Sequence, residues 1–377
     1  MKSKQIIVFS VVVLLLFSSF PLHSWEGYHP LQEGPEEEYF HGQVKEIVSE
    51  TERRRGLVQV AEIKLTGGPQ AGEVVTIENH YEERNRFMDI ILEEGMSVLM
   101  VGVYRDGEME VHLQDVARDN SLLWASILLA VAMLVIGKMK GLKTILTLLL
   151  TGFLIFYVML PLLLAGWPAI PVATASALVI ICVILLIIGG LNFKTAAAIL
   201  GTGGGILVAG LLAYLVGSAA DLTGLGTQEA QMLAVGQETL NMQGLLYAGI
   251  IIGALGAITD VGMSVASSAY QLRSNKPEIS FSELFAAAME VGRDVMGTMA
   301  NTLILAYVGG AIPFLLLLMH NQIHWLRIVN MDFMAAEILS GIAGTLGLVV
   351  AIPITALSVA LLPEKLSNLS MPLPFCS

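Results

Sequence analysis

Charged residues are scarce in this chain of 377 residues: Asp, Glu, Lys and Arg together make up 14% of it, against 55% hydrophobic residues. An ordinary soluble domain carries about 25% charged residues. The mean hydropathy of +0.72 is also high. The composition therefore excludes a soluble globular protein.

Motifs of catalysis and cofactor binding are missing as well. The two cysteines, Cys182 and Cys376, are far apart and lack the spacing of metal ligands, so we predict no disulfide framework and no cysteine metal site. The sequence contains no phosphate-binding P-loop, no zincin helix and no nucleophile elbow. We therefore predict that the protein is not an enzyme and uses no cofactor or metal.

Long apolar runs are what the sequence does contain. About 20 apolar residues cross a bilayer as a helix, and several runs reach about this length. We predict seven transmembrane helices, at 121–137, 144–166, 169–191, 195–217, 244–270, 298–319 and 338–362. The predicted fold class is thus a polytopic α-helical membrane protein.

A further hydrophobic run, at 6–20, follows Lys2 and Lys4. A short apolar run behind a basic start is typical of an export signal, which is either a cleaved signal peptide or an uncleaved anchor of the same shape. We predict that 1–24 form this signal or anchor and that 25–120 form an exported β-rich domain. The seven-span membrane domain follows at 121–364, and a cytoplasmic tail at 365–377.

Charge is distributed unevenly along the chain. Residues 26–119 contain 21 Asp and Glu against 9 Lys and Arg, a balance of −12 that equals the net charge of the whole chain. An acidic region of this kind repels nucleic acid, so we exclude that class of partner.

Basic residues of the membrane domain lie in alternate short loops, which the positive-inside rule assigns to the cytoplasm. They are Lys138, Lys140, Lys143, Lys194, Arg273, Lys276 and Lys365, whereas the intervening loops contain one basic residue, Arg327. This pattern predicts that 25–120 lie outside the cytoplasm and that the C-terminus lies inside it.

Five short segments of the exported region are rich in Val and Ile and alternate partly in hydrophobicity, which predicts strands. They lie at 43–49, 57–65, 73–79, 97–104 and 108–116. Five short strands in so small a region favour an antiparallel barrel of the OB-like kind. Such a barrel either binds a ligand or serves as a platform for a protein partner, and we favour the platform.

Polar residues inside two of the predicted helices are the strongest indication of function. They recur on helical faces at intervals of three, four or seven residues: Asp260, Ser264 and Ser267 on the fifth helix, and Glu290, Asp294 and Asn301 around the start of the sixth, where Arg293 is adjacent to Asp294. An ionised side chain in hydrocarbon costs about 3 kcal/mol or more. The functional hypothesis is a polar pathway or ion relay in the cytoplasmic half of the membrane.

A structural alternative remains open for the same residues. Arg293 either pairs with Glu290 on its own helix or reaches across to Asp260. An ion pair between two helices, with ordinary serine hydrogen bonds beside it, would lock the helices together without moving any ion.

Glycine interrupts the fourth predicted helix at 201–205, GTGGG. Each glycine weakens a helix by about 1 kcal/mol relative to alanine, and broken helices are where transporters often bind ions or substrates. We therefore predict a helix break at Gly201, Gly203, Gly204 and Gly205. Close helix packing through small residues is the alternative.

Three motifs carry a family resemblance: ILGTGGG at 199–205, GALGAITDVGMSVASS at 253–268 and GRDVMGTMANTLILAYVGG at 292–310. In this order they resemble the YibE/F family of bacterial multi-pass membrane proteins, and the likeness extends over 40–362. The resemblance implies an integral protein of the bacterial plasma membrane. It supplies no activity and no catalytic residues.

Two functions fit these observations. The first is a permease or transporter for a small solute or ion. In one form of this hypothesis, transport is coupled to protons through the two acids Asp260 and Asp294. The second is a non-transporting accessory or assembly protein whose exported domain contacts a partner. The expected partners are the lipid bilayer, an unknown small solute or ion, and either a protein that binds the exported domain or further copies of this chain.

Overall fold

The computed structural model of the chain describes residues 37–53, 56–68, 70–82, 90–105, 108–237 and 239–361. The chain divides into two compact units, Met1–Ala132 and Met133–Ser377. The predicted signal or anchor at 1–24 and the predicted tail at 365–377 lie outside the described residues.

The first unit contains a five-stranded antiparallel sheet with the strand order β3-β2-β1-β4-β5. The strands are β1 (Glu37–Arg53), β2 (Gly56–Leu65), β3 (Val74–Glu82), β4 (Ser97–Arg105) and β5 (Glu108–Val116). All five predicted strands are confirmed, although β1 is longer at both ends than the predicted 43–49. β1 pairs with β4 along its first part and with β2 along the rest. Because β3 also approaches β5, the sheet is curled.

The core of this sheet follows the two-residue period of its strands. Ala61, Ile63 and Leu65 of β2 are fully buried in the hydrophobic core. Gln59 continues the same alternation and is buried as completely, although its side chain is polar. The core therefore includes an amide that must find hydrogen-bond partners inside the protein.

Nine helices are described after the sheet. They are α1 (Asp119–Gly137), α2 (Met139–Leu164, with a π-helical turn at Ile155–Met159), α3 (Ala169–Gly189), α4 (Phe193–Ala219), α5 (Gln228–Gly236), α6 (Met242–Asn275), α7 (Phe281–His320), α8 (Trp325–Val329) and α9 (Asp332–Leu361). Among the described residues, seven of them, all except α5 and α8, are long and apolar enough to cross a membrane. This number agrees with the seven helices predicted from hydropathy.

The centre of the second unit is a three-helix core of α4, α6 and α9. Residues from all three helices are buried together in one hydrophobic cluster, including Ile206 of α4, Ile258 of α6 and Leu348 of α9. The remaining long helices of the unit pack around this core: α7 lies against α6 and α9, α3 lies against α4 and α6, and α2 lies against α3.

The glycine-rich segment of α4 belongs to this core, and the predicted helix break is wrong. The helix is continuous through Gly201, Gly203, Gly204 and Gly205. A Cβ at Gly205 would lie 2.6 Å from the carbonyl oxygen of Gly347 in α9. The glycines are therefore needed because helices α4 and α9 approach closely there, and close packing offsets their poor helix propensity.

Helix α7 begins with a capping box. The side chain of Ser280 accepts a hydrogen bond from the backbone N–H of Glu283, and the Glu283 carboxylate accepts one from the backbone N–H of Ser280. From there α7 continues for 40 residues to His320, a length of about 60 Å. The sixth predicted span, 298–319, is thus the second part of one uninterrupted helix that already begins at Phe281.

Candidate functional site

Asp260 lies on the outward face of α6. Its neighbours Thr259 and Val261 are buried, whereas Asp260 itself is exposed. The same face carries Gly253 and Gly256, seven and four residues earlier. A Cβ at Gly256 would have no described atom within 4 Å, so this part of the helix surface is uncovered in the single chain.

Helices α6 and α7 bring Asp260 and Arg293 to nearly the same level. The two helices pack against each other and are joined by the short turn at 276–280, which makes them antiparallel neighbours. Asp260 lies about 22 Å from the end of α6, and Arg293 lies about 18 Å from the start of α7, at 1.5 Å per residue.

The side of α6 that carries Asp260 borders α7. A Cβ at Gly253 would lie 2.7 Å from the hydroxyl oxygen of Tyr307 in α7. Since Asp260 is two helical turns from Gly253 on the same face, the carboxylate of Asp260 is close to the seam between the two helices.

Arg293 pairs within its own helix. Its Nη1 donates a hydrogen bond of 2.7 Å to Oε2 of Glu290, one helical turn earlier, and both side chains are exposed. The alternative pairing with Asp260 is not present. An exposed pair of this kind contributes little to stability.

The other predicted polar residues of α7 face outward too. Asp294 and Asn301 are exposed, and within the described part of the chain neither side chain has a hydrogen-bond partner. The neighbouring hydroxyls of Thr298 and Thr302 are satisfied, because each donates to a backbone carbonyl of α7 itself. We call the outward residues Asp260, Arg293, Asp294 and Asn301 the polar strip.

The serines of α6 do not support Asp260 as expected. Ser264 and Ser267 are half-buried, and no hydrogen bond joins either of them to Asp260 in the described structure. Thr259 instead donates to the carbonyl of Leu255 at 2.6 Å. The carboxylate of Asp260 is therefore left for a partner outside these residues, such as water, a cation or another chain.

The interior of the second unit offers no alternative polar route in the described residues. Its buried polar side chains are hydroxyls of Thr, Ser and Tyr247, and no charged side chain is buried there. Three of these hydroxyls, of Thr202, Ser340 and Thr355, donate to carbonyls of their own helices. The acids and the base of the polar strip thus lie on the outer surface of α6 and α7 and not in this interior.

One functional feature escaped the sequence patterns: a groove between α7 and α9 that includes Tyr307, Glu337 and Gly341. Glu337 lies one residue before the last predicted span, 338–362, so hydropathy alone assigns it no place in a helix. Spacing on α9 places Glu337 and Gly341 on one face, but only the structure brings Tyr307 opposite them.

A family model described as YibE/F-like protein matches residues 125–365. The chain belongs to the YibE/F-like family. The matched region runs from α1 to the end of α9 and includes the whole polar strip, and it confirms the resemblance drawn from the three motifs. Together with the seven apolar helices, this membership indicates a multi-pass membrane protein. No curated protein and no solved structure matches the chain.

Proposed function

We propose that this YibE/F-like protein is a permease for a small solute or ion in the bacterial plasma membrane, and that the polar strip lines its route. The observation that carries the proposal is where the strip lies. Asp260 and Arg293 are at nearly the same level of α6 and α7, and all four residues of the strip face away from the helix bundle. Two acids, one base and one amide face outward from apolar helices, and Asp260 has no partner in the described chain. Ionisable residues in such helices are expensive unless they are paired or hydrated, and they mark ion or substrate pathways.

The route runs along the polar strip, between two membrane chains, rather than through the helix bundle of one chain. The core of α4, α6 and α9 is apolar and tightly packed, and the polar strip lies outside it, on the outward face of α6 and α7. A second copy of the chain is the partner that we propose for this face. In a two-fold dimer with its axis along the membrane normal, each residue lies at the same depth as its counterpart, so Arg293 of one copy is within about 1.5 Å in depth of Asp294 of the other and within reach of an ion pair if the strips face each other.

The proposed orientation follows from the basic loops. Lys138 and Lys140, Lys194, and Arg273 and Lys276 lie at the same side of the bundle if the helices cross the membrane alternately, and the positive-inside rule makes that side cytoplasmic. The sheet is then exported. Its strand order becomes the closed cycle β1-β2-β3-β5-β4-β1 if β3 and β5 pair, which supports the OB-like interpretation and a role as a platform for a partner.

A second candidate function is a non-transporting assembly protein. The closed, apolar interior favours it, since such a protein needs the polar strip only as an adhesive surface for another membrane chain. Polar side chains between membrane helices contribute about 0.6 kcal/mol each on average, so the four residues of the strip would add about 2.4 kcal/mol to the association of two membrane chains.

Flux through purified protein separates the two functions. In liposomes with an imposed pH gradient, we expect uptake or efflux of at least one member of a panel of small solutes and ions, and we expect Asp260→Asn to reduce it to the level of protein-free liposomes. The matched control is Asp221→Asn, which makes the same chemical change at an exposed residue of the α4–α5 loop. An absence of flux across the panel, or equal flux in Asp260→Asn, removes the permease proposal.

The proposed contact between two copies along the polar strip predicts a cross-link between them. In a chain in which Cys182 and Cys376 are replaced by alanine, we expect Asn301→Cys to form disulfide-linked dimers in native membranes upon mild oxidation. Leu207→Cys, on the outward face of α4, serves as the control and should remain monomeric. Equal cross-linking at both positions would indicate random collision, and none at Asn301→Cys would contradict a dimer formed through this face.

A further inference from the structure

A groove runs between the half of α7 that ends at His320 and the first half of α9. Its volume is about 470 Å³, within the range of about 300–1,000 Å³ that is usual for small-molecule sites. The groove is distinct from the polar strip, because none of the strip residues lines it.

Small residues open the groove. Ala311 of α7 and Gly341 of α9 are both buried and both line it. A Cβ at Gly341 would meet only Ile304, at 4.0 Å, whereas most buried glycines of this unit lie against neighbouring atoms. Helices α7 and α9 are therefore in contact on either side of Gly341 along their length, but a space is left between them at Gly341 itself.

The walls of the groove are apolar and continue onto the outer surface. Ile304 is 45% exposed, and Ile342 of α9 is 52% exposed. In a membrane protein this surface faces lipid, so a molecule enters the groove from the bilayer and not from water. An apolar chain is the part of a ligand that these walls accommodate.

One carboxylate and two hydroxyls, those of Tyr307 and Thr345, interrupt the apolar lining. Glu337 lies in the groove and is half-buried, and its side chain has no hydrogen-bond or ion-pair partner among the residues that the structure describes. No Lys, Arg or His is among the lining residues. A carboxylate that is partly removed from water without a partner is unfavourable, and a cation placed beside it would relieve that penalty.

The polar groups are arranged along the groove in a definite order. Glu337, Gly341 and Thr345 follow one another at intervals of four residues on α9 and so share one face. Glu337 lies about 8 Å from the start of the helix, and Thr345 lies about 12 Å deeper. The Thr345 hydroxyl is buried and has no partner in the described chain. A charged end near the membrane surface and an apolar body below it is the shape of an amphiphile in one leaflet.

We infer that this groove binds an amphiphile with a protonated amine head group, whose ammonium pairs with Glu337 and whose alkyl chain lies over Gly341. Charge complementarity selects the amine over a fatty acid, because a second carboxylate would be repelled by Glu337. The site does not depend on the permease proposal, since it lies on different helix faces and needs no transport to be occupied.

Photo-labelling tests the site in the intact protein. The probe is a dodecylamine that carries a diazirine in its alkyl chain, used with the full-length chain in phosphatidylcholine nanodiscs. We expect labelled peptides from 304–315 and 334–346, and about tenfold less labelling there in Glu337→Gln, the loss expected for one charge-assisted hydrogen bond. The matched control, Glu229→Gln, changes an exposed carboxylate of α5 and should label like the wild type.

Filling the groove provides an independent variant. Gly341→Leu places a side chain in the space that the alkyl chain occupies, so we expect its labelling to be lost. Gly309→Leu is the control, because a Cβ at this exposed glycine of α7 would have no described atom within 4 Å and the residue does not line the groove. The unfolding temperatures of all four variants are measured alongside, to separate a lost site from a lost fold.

Three outcomes overturn the inference. Equal labelling of wild type and Glu337→Gln would show that the amine does not pair with Glu337. Labelling by the matching fatty acid or fatty alcohol as strong as that by the amine would show a groove that accepts any lipid chain. Loss of dimers in Gly341→Leu without any specific amine labelling would show that a second copy of the chain occupies the groove.

Discussion

Gly205→Val is expected to prevent the second unit from folding stably. A Cβ at position 205 would lie 2.6 Å from the carbonyl oxygen of Gly347 and 2.9 Å from carbon atoms of Ala351 and Ile258. The obstacle from α9 is backbone, which cannot rotate away as a long side chain can. Overpacking of a core usually costs about 1–3 kcal/mol and occasionally more, and we expect valine here to exceed about 3 kcal/mol because it separates α4 from both partner helices.

The measurement is the yield of monodisperse protein and its unfolding temperature in one detergent. Gly152→Ala is the matched control, since this glycine of α2 also lies within an apolar helix but a Cβ there would have no described atom within 4 Å. The control should gain stability, by up to about 1 kcal/mol of helix propensity. If Gly205→Val and Gly152→Ala unfold at the same temperature, the result contradicts the close approach of α4 and α9 at Gly205.

The same contact explains why the sequence misled us at this segment. Helix propensity is a property of one residue, and four glycines in five residues indicate a weak helix when they are considered alone. The compensating term is the approach of Gly347, which lies 142 positions later in the chain. No local pattern in α4 contains that information, whereas the hydropathy that defines α4 as a span is entirely local.

The polar strip was predictable in part. Helical periodicity correctly places Glu290, Asp294 and Asn301 on one face of α7. It cannot decide the direction of that face, because the direction depends on which side of α7 packs against α6 and α9. The structure buries Leu284, Ala288 and Gly292 instead, so the charged side is left outside the bundle. The functional hypothesis therefore moves from the interior of one chain to its surface.

The groove beside Glu337 was not predictable. It exists because Ala311 and Gly341, which belong to different helices, lie at the same level with no large side chain between them. Small residues in membrane helices usually indicate close packing, and Gly205 and Gly344 behave in that way. Only the positions of both helices distinguish a glycine that closes a contact from one that opens a cavity.

Gln59→Leu is expected to destabilise the sheet by about 3 kcal/mol or more, although leucine is apolar and the site is buried. Both polar atoms of the Gln59 side chain are fully used. Nε2 donates to the carbonyl of Leu92 at 3.0 Å and to Glu50 at 2.7 Å, and Oε1 accepts from the backbone N–H of Leu92 at 2.8 Å and from Asn79 at 3.3 Å. This side chain thus ties the segment before β4 to the centre of the sheet.

Leucine at position 59 leaves the backbone N–H and C=O of Leu92 without partners in a buried site. Each buried polar group that loses its partner costs about 1–3 kcal/mol, and the apolar gain of leucine does not offset two of them. The most direct readout is amide hydrogen exchange of the full-length protein in detergent, where the amide of Leu92 should lose its protection before the amides of β1 do.

Gln114→Leu is the matched control, because it makes the same change at an exposed residue of β5 and should leave the exchange of Leu92 unaltered. If Gln59→Leu also leaves the hydrogen exchange of Leu92 unaltered, the side chain of residue 59 does not face the core, contrary to the alternation along β2. The core face of the sheet then starts at Ala61, and the segment around Leu92 is held by its apolar side chains alone.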